Sequence, residues 1–391
     1  MGKVMRSANQ MSKLKCQMSD CLSFVTFFVI CFLSFVICHL PEAYPLELKK
    51  DDVVSIERVK QPKENQSLWS NWSIGAIIKA LLIDGDYLWI GTSDGVIRYN
   101  KKNDGQVVYT TKDGLRSQSI LSIARDRDGI KWFGTNGGGL TSYDGKRWKT
   151  YDSKDGLVDE YVWSIAFEPD GTMWVGTWYG VNKIKRPDER PWGRYTLEVL
   201  ANEWVYVTMI DKEGTKWFGT EGGVNSFDGK VWRTWTHKDG LGADKGLIEK
   251  ELGKPVELLP SGKRHMGHET RADQYNPDYV VSGVIDHKGD KWFGTWGAGL
   301  SRFNGKDWKT YSMSDGLPGN MIHSLKVDQK GILWIGTNGG VSRFDGKGFK
   351  NYKMEDGLFS NTVYSIAIDQ DGTKWFGTFG GVSRFMDTKG G

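Results

Sequence analysis

The chain has 391 residues and a formal net charge of +4, from 52 Lys and Arg against 48 Asp and Glu. That balance argues against a nucleic-acid-binding protein, which carries a basic excess, and against an acidic disordered chain. Fifty Gly beside ten Pro indicate many tight turns, and 18 Trp, 17 Phe and 15 Tyr supply a large apolar area. The composition therefore predicts a turn-dense all-β protein with an aromatic core.

The N-terminal segment is predicted to direct export. Four basic residues precede an uncharged apolar run of 18 residues between Cys21 and Cys38. This pattern is typical of a signal peptide, which we favour, or of an N-terminal anchor in the inner membrane, over residues 1–43. Residues 44–65 are predicted as a polar linker, and the rest of the chain as periplasmic or extracellular. All four cysteines lie within the first 38 residues, which excludes a disulfide scaffold, a cysteine zinc site and thiol catalysis beyond them.

The motif W-x-G-T recurs seven times along the rest of the chain. It begins at Trp89, Trp132, Trp174, Trp217, Trp292, Trp334 and Trp375. Successive motifs are 43, 42, 43, 75, 42 and 41 residues apart, so one insertion interrupts a period near 42. A period of this size, with several short strand patterns in each unit, is typical of a β-propeller blade.

Each repeat is predicted to form four strands, named A to D. In the last repeat, strand A starts at Asn361, strand B carries the W-x-G-T motif and strand C ends at Phe385. A fourth strand is missing there, and Leu68-Trp69 stands before the first repeat where a strand D would. An N-terminal strand that completes the last blade would remove an open sheet edge. The predicted fold is all-β: a seven-bladed β-propeller of four-stranded blades over residues 66–391, closed by an N-terminal strand.

The units resemble the two-component-regulator propeller repeat. They share the form D-G-x-x-W-x-G-T-x-x-G-V, followed by an F/Y-D/N-G-K turn and a D-G-L loop, over residues 68–385. The resemblance implies a propeller of the kind that forms the periplasmic sensor of hybrid histidine kinases, often responding to polysaccharide fragments. Neither a second transmembrane segment nor a kinase follows before Gly391, so the resemblance indicates fold and compartment more than signalling.

In a propeller, the B–C and D–A loops share one face around the channel mouth, which we call the loop face. Aromatic and acidic residues concentrate there in the third, fourth, fifth and seventh repeats. Those after W-x-G-T are Trp178, Tyr179, Glu221, Trp296 and Phe379, and those at the start of strand A are Glu160, Glu203, Trp204 and Asp278. Aromatic faces flanked by carboxylates suit sugars, and they also suit a cationic ligand or a peptide. These nine residues are the predicted ligand contacts; the alternative is that the aromatics only pack the channel entrance.

The insertion covers residues 238–277, in the D–A loop between the fourth and fifth repeats, and is predicted to stand over the loop face. Residues 246–253 are predicted to form a short helical turn. The insertion also carries His265, His268 and Glu269, which could supply two nitrogens and a carboxylate to a divalent metal. A solvated polar loop is the favoured interpretation, because so short a motif often matches by chance.

The sequence contains no G-x-S-x-G elbow, no P-loop and no dinucleotide-binding glycine motif that opens a helix. The predicted function is therefore an exported, non-catalytic ligand-binding or interaction-scaffold propeller without a cofactor, serving as a sensor component. Its predicted partner is a glycan, a peptide or an envelope protein at the loop face, and the propeller is expected to be monomeric. The alternative is a metal-dependent lyase-like or hydrolytic enzyme with a His/Glu site at the mouth.

Overall fold

The computed structural model describes residues 54–59, 68–259 and 273–387, and within these ranges the chain is an all-β propeller of four-stranded blades. Regular helix in these ranges is confined to α1 (Lys245–Leu252) and four single-turn 3-10 helices. The 3-10 helices are Ser153–Asp155, His237–Asp239, Met313–Asp315 and Met354–Asp356. Of the helices just named, none is long and apolar enough to cross a membrane. The predicted signal or anchor segment, residues 1–43, lies outside the described residues.

The described residues form 28 short strands. The first fourteen are β1 (Glu57–Val59), β2 (Trp69–Asp84), β3 (Tyr87–Thr92), β4 (Gly95–Asn100), β5 (Gln106–Tyr109), β6 (Ile120–Arg125), β7 (Lys131–Thr135), β8 (Leu140–Tyr143), β9 (Trp148–Tyr151), β10 (Val162–Phe167), β11 (Met173–Thr177), β12 (Gly180–Ile184), β13 (Gly193–Tyr195) and β14 (Val205–Ile210). The others are β15 (Lys216–Thr220), β16 (Gly223–Phe227), β17 (Trp232–Trp235), β18 (Glu257–Leu258), β19 (Gln274–Ile285), β20 (Lys291–Trp296), β21 (Leu300–Phe303), β22 (Trp308–Tyr311), β23 (Ile322–Val327), β24 (Leu333–Thr337), β25 (Gly340–Phe344), β26 (Phe349–Tyr352), β27 (Val363–Ile368) and β28 (Lys374–Phe385).

Five sheets each contain one W-x-G-T repeat as an antiparallel meander of four strands. They are β6–β9, β10–β13, β14–β17, β19–β22 and β23–β26, and β18 adds a parallel edge strand to β19. In every one of them the second strand of the meander carries the motif. The strand assignment predicted from the sequence therefore holds for these repeats.

The first and last repeats lie in one larger sheet of order β27-β28-β2-β3-β4-β5, with β1 paired to β2. The start of β2 pairs antiparallel with the end of β28, from Trp69 opposite Phe385 to Ser73 opposite Gly381. Further along, β2 pairs with β3, beginning with Ile78 opposite Thr92. The two ends of the propeller region are thus hydrogen-bonded to each other through one continuous strand.

The Trp and Gly of the motif have structural roles. The indole N–H of Trp334 donates to Asp328 at the preceding turn, 3.0 Å away, and the corresponding indoles of four other repeats bind an acid in the same way. A Cβ added to Gly336 would lie 2.4 Å from the Ser324 hydroxyl and 2.8 Å from the carbonyl of Val363 in the next repeat. Only glycine leaves room for neighbouring sheets to approach this closely, and the core lies between them.

Candidate functional site

Each W-x-G-T repeat carries a β-bulge at the same place in its first strand. In the first repeat Ile78 pairs with Thr92 and Ala80 with Gly91, which leaves Lys79 unpaired between them. A bulge changes the direction of the side chain on the extra residue. The seven residues at this position, which we call the bulge ring, are Lys79, Leu121, Trp163, Tyr206, Val281, His323 and Tyr364.

Members of the bulge ring meet across the centre of the propeller. The Lys79 ammonium lies 5.3 Å from the centroid of the Trp163 ring, although the second repeat separates these two residues. Burial, together with the charge of Lys79, lowers the pKa of His323 in the sixth repeat to about 4. Between neighbouring repeats, the ring centroids of Trp163 and Tyr206 are 4.9 Å apart and those of His323 and Tyr364 are 5.2 Å apart. The bulge ring therefore forms a floor across the channel.

The loops that follow W-x-G-T lie at the same end of the channel as the bulge ring. The N–H of Trp178 donates to the carbonyl of Tyr161, two residues before the bulge residue of that repeat, over 3.2 Å. The N–H of Asn338 makes the same 3.2 Å bond to the carbonyl of Met321. The residue after W-x-G-T and the start of the first strand thus stand side by side at the loop face.

One wall above the floor is a stack of aromatic rings. Trp178 lies between Tyr161 and Trp204, with ring centroids 4.3 and 5.2 Å away and ring planes within 12° and 20° of parallel. Trp204 itself is buried. Both faces of the Trp178 indole are therefore covered by protein, so this residue offers its edge, and not a stacking face, to a ligand.

A second wall joins the fourth and fifth repeats. The hydroxyl of Tyr206 donates to Glu221 Oε1 at 2.9 Å, and the carboxylate of Glu221 is fully buried. Burial, with Tyr279 and Glu221 nearby, raises the pKa of Tyr206 well above its usual value. Tyr279 stacks on Trp296 with centroids 5.3 Å apart, and the Trp296 indole donates to Gln274. The predicted residues Trp178, Trp204, Glu221 and Trp296 are thus parts of the two walls.

Two of the predicted aromatics stay open to solvent. Tyr179 is 54% exposed and Phe379 is 59% exposed, although both follow a W-x-G-T motif on the loop face. Within the described residues, neither ring stacks on another aromatic side chain. They are the predicted residues with the most apolar surface free for a partner.

Two of the predicted acidic residues have backbone partners. Glu160 Oε1 accepts a hydrogen bond from the N–H of Ser153, and Asp278 accepts one from the N–H of His237. Each donor is the first residue of a 3-10 helix in the D–A loop, and Asn320 bonds to the third such helix in the same way. These side chains fix the loop that leads into the first strand. Glu203 lies half-buried beside Trp204.

The described part of the insertion packs on the loop face of the fifth repeat. Ile248 of α1 (Lys245–Leu252) is buried against Tyr275 and Ala298, so the predicted short helix is confirmed. Glu251 accepts hydrogen bonds from the Ser312 hydroxyl, from the N–H of Ser314 at 2.7 Å and from the Asn320 amide at 2.8 Å. The helix is thereby attached to the turn between the fifth and sixth repeats.

The predicted metal ligands His265, His268 and Glu269 lie outside the described residues. Within the ranges that the structure describes, no group of three or more His, Cys, Asp or Glu side chains could hold a metal ion.

The sequence analysis did not identify Lys79, Tyr206, His323 or Tyr364 as candidates for the site. A signal was present in the repeat alignment. The residue before the bulge is Ile or Val in all seven repeats and the residue after it is Ser in five, whereas the bulge residue itself differs widely. That one variable position between two repeated ones marks the residues that face the channel.

Comparisons with known proteins support the same fold. The sequence profile of the two component regulator propeller matches residues 156–179, 316–339 and 357–380. One similar solved structure, described as the extracellular domain of a hybrid two component system from B. thetaiotaomicron, is 23% identical over 80% of this chain, with a TM-score of 0.62. This chain spans only 39% of the length of that protein.

Other solved structures are similar in fold at lower identity. Virginiamycin B lyase from Staphylococcus aureus is 12% identical over 85% of this chain and 99% of its own, with a TM-score of 0.59. PorZ, a surface component of the type-IX secretion system of Porphyromonas gingivalis, is 15% identical over 79% of this chain and 46% of its own, with a TM-score of 0.57. A search of curated proteins found no match. The three stretches that the two component regulator propeller profile matches each contain one of the seven W-x-G-T motifs, so these repeats are similar to that family's repeat.

Proposed function

We propose that this chain is an exported, non-catalytic propeller that binds a ligand or a partner protein at its loop face. The observation that carries the proposal is the variation within the bulge ring, whose seven side chains share one structural position. A position needed only for the fold would repeat, as the Gly of W-x-G-T does. Because the bulge residue differs from repeat to repeat, the channel mouth presents charged, aromatic and apolar side chains in different directions, which is what a binding site requires.

The propeller in this proposal has seven blades and is closed by its N-terminal strand. The larger sheet then comprises the first and last blades, with residues 69–73 as the fourth strand of the last one. Two contacts support this division. The Ser365 hydroxyl donates to the carbonyl of Ile78 at 3.0 Å, just as the Ser282 hydroxyl donates to Ile322 in the next repeat. In this contact the last and first repeats are packed as the fifth and sixth repeats are.

Export and a sensor role are part of the same proposal. The apolar run of residues 21–38 after a basic start supports export, and a similar fold occurs in the extracellular domain of a hybrid two component system. The exposed Tyr179 and Phe379 support recognition of a glycan, a peptide or an envelope protein, since exposed aromatic side chains are enriched at such contacts. The partner class is decided by experiment.

A thermal-shift screen of the purified protein against oligosaccharides, peptides and divalent metals tests the proposal. A ligand that binds only the folded state stabilises it by about 2.7 kcal/mol at a hundred times its Kd. Tyr179→Ala and Phe379→Ala should reduce that ligand-induced shift and leave the Tm of the free protein unchanged, because both side chains are largely exposed.

Val231→Ala is the matched control. Val231 is 48% exposed, but it lies in the turn between β16 and β17 at the opposite end of the blade. It should change neither the free Tm nor the ligand shift. If Val231→Ala weakened binding as much as the two loop-face variants did, the loop face would not be the binding surface.

A further inference from the structure

The mouth of the channel contains a half-buried cation, Lys79, that has no ion pair among the described residues. The Trp163 ring is the nearest aromatic contact of its ammonium. Burial lowers the pKa of Lys79, with no carboxylate opposing the shift. A half-buried ammonium without a counter-charge is costly, and an anionic ligand would offset that cost.

Three buried ring nitrogens at the channel mouth have no hydrogen-bond partner among the described residues. The indole nitrogens of Trp163 and Trp178 and the Nε2 of His323 are buried without a hydrogen-bond partner. The carboxylate of Glu221, in the second wall, already accepts a hydrogen bond from the hydroxyl of Tyr206. A ligand that satisfied this site would therefore have to bring acceptor atoms and negative charge.

We propose that the floor of the channel mouth binds a carboxylate carried by the ligand, between Lys79 and His323, with the Trp163 indole N–H as a further donor. This inference rests on the proposed function and specifies the ligand of the same site. The Lys79 ammonium supplies the charge, and His323 donates through Nε2 in the tautomer that carries its proton there. The ligand enters from the loop face, past the aromatic walls of Trp178 and Trp296.

The charge of the site favours a carboxylate over other ligand groups. The bulge ring contains one lysine and no arginine, and His323 is neutral near pH 7 because its pKa is about 4. A single positive charge balances a monoanion, whereas phosphate and sulfate dianions are more often bound by arginine forks. A cationic ligand would be repelled, because Lys79 already occupies the face of the Trp163 ring.

Acetate and acetamide form a matched pair of probes, since they differ in charge and hardly in size. Titration of the exported protein with each, followed by the NMR resonance of the Trp163 indole N–H, reports directly on the floor. Acetate should shift this resonance saturably and acetamide should not. An equal response to both would overturn the proposal, and tighter binding of phosphate or sulfate would replace the carboxylate with that anion.

Two lysine variants locate the charge. Lys79→Met should weaken acetate binding by about tenfold or more, and Lys79→Arg should retain most of it, because a charge-assisted hydrogen bond is lost only in the first. Lys326→Met is the control: Lys326 also has no ion pair among the described residues, but it lies three residues beyond the bulge position of its repeat. Loss of binding in Lys326→Met, with Lys79→Met unaffected, would refute the assignment.

The outcome separates this inference from the proposed function. If a neutral ligand found in the thermal-shift screen still depends on Tyr179 and Phe379 while acetate has no effect, the loop face binds a ligand but the carboxylate site is wrong. If acetate binds through Lys79 and neither loop-face variant affects any ligand, the proposed recognition surface is wrong and the anion site stands.

Discussion

Replacing Trp69 with alanine tests whether the N-terminal strand holds the ring closed. Trp69 is 3% exposed, and its ring centroid lies 4.7 Å from that of Phe385 and 5.8 Å from those of Tyr352 and Phe376. All three partners belong to the last two repeats. Truncating a buried tryptophan costs about 3–5 kcal/mol. Because a typical domain has only about 5–15 kcal/mol of stability, Trp69→Ala should remove a large part of it.

Urea denaturation measures the loss, and Trp308→Ala is the matched control. Trp308 begins the fourth strand of the fifth repeat, is half-buried and contacts Phe293 and Phe303 of its own repeat. Hydrogen exchange then distinguishes the two variants. Trp69→Ala should accelerate exchange of the amides of residues 381–385, which pair with β2, whereas Trp308→Ala should leave them protected. A loss below about 1 kcal/mol for Trp69→Ala, or unchanged exchange in β28, would refute the closure.

Three further substitutions test the channel floor, the attachment of α1 and the packing of neighbouring sheets. Folding lowers the pKa of His323 from 6.5 to about 4, so the free energy of unfolding should be highest above pH 6.5 and fall as the pH drops toward 4. The loss should reach up to about 3 kcal/mol. In denaturation curves recorded across this pH range, His323→Gln should make the free energy of unfolding less dependent on pH. Glu251→Ala removes the acceptor for the N–H of Ser314, so limited proteolysis should cut near α1 sooner while the Tm hardly changes; an unchanged cleavage rate would contradict the attachment. Gly336→Ala places a methyl group against the Ser324 hydroxyl and should cost about 1–3 kcal/mol in urea denaturation, and a neutral result would show that neighbouring sheets can separate.

The repeating part of the fold could be predicted from sequence because each motif residue satisfies a local requirement. In five repeats, Trp334 among them, the indole N–H of the motif Trp donates to an acid six residues earlier, and Gly336 recurs because a side chain there would strike the next sheet. Both requirements act within one repeat or between neighbours, so the sequence period carries them directly. The short helix α1 was predictable for the same reason, since it depends on a contiguous segment.

The floor of the site could not be predicted in this way. Lys79 and His323 belong to the first and sixth repeats, and only the circular arrangement of the sheets brings the charge of Lys79 near enough to lower the pKa of His323. Likewise, the sequence placed Trp178 on the loop face, but not the Tyr161 and Trp204 rings that cover both of its faces. The sequence analysis predicted the carboxylate of Glu160 as a ligand contact, but in the structure this carboxylate accepts a hydrogen bond from a backbone N–H of its own loop.

Repetition itself provides the means to separate structure from function in this chain. Where all repeats need the same contact, they keep the same residue, as at the Gly of W-x-G-T in all seven repeats. The bulge residue has no strand partner to preserve, and its side chain faces the others across the channel, so the fold leaves it free to differ. The seven bulge residues can therefore differ from one another to fit an asymmetric ligand without any loss of packing between the blades. For that reason the choice of Lys at position 79 and His at position 323 is better explained by what enters the channel than by what holds the propeller together.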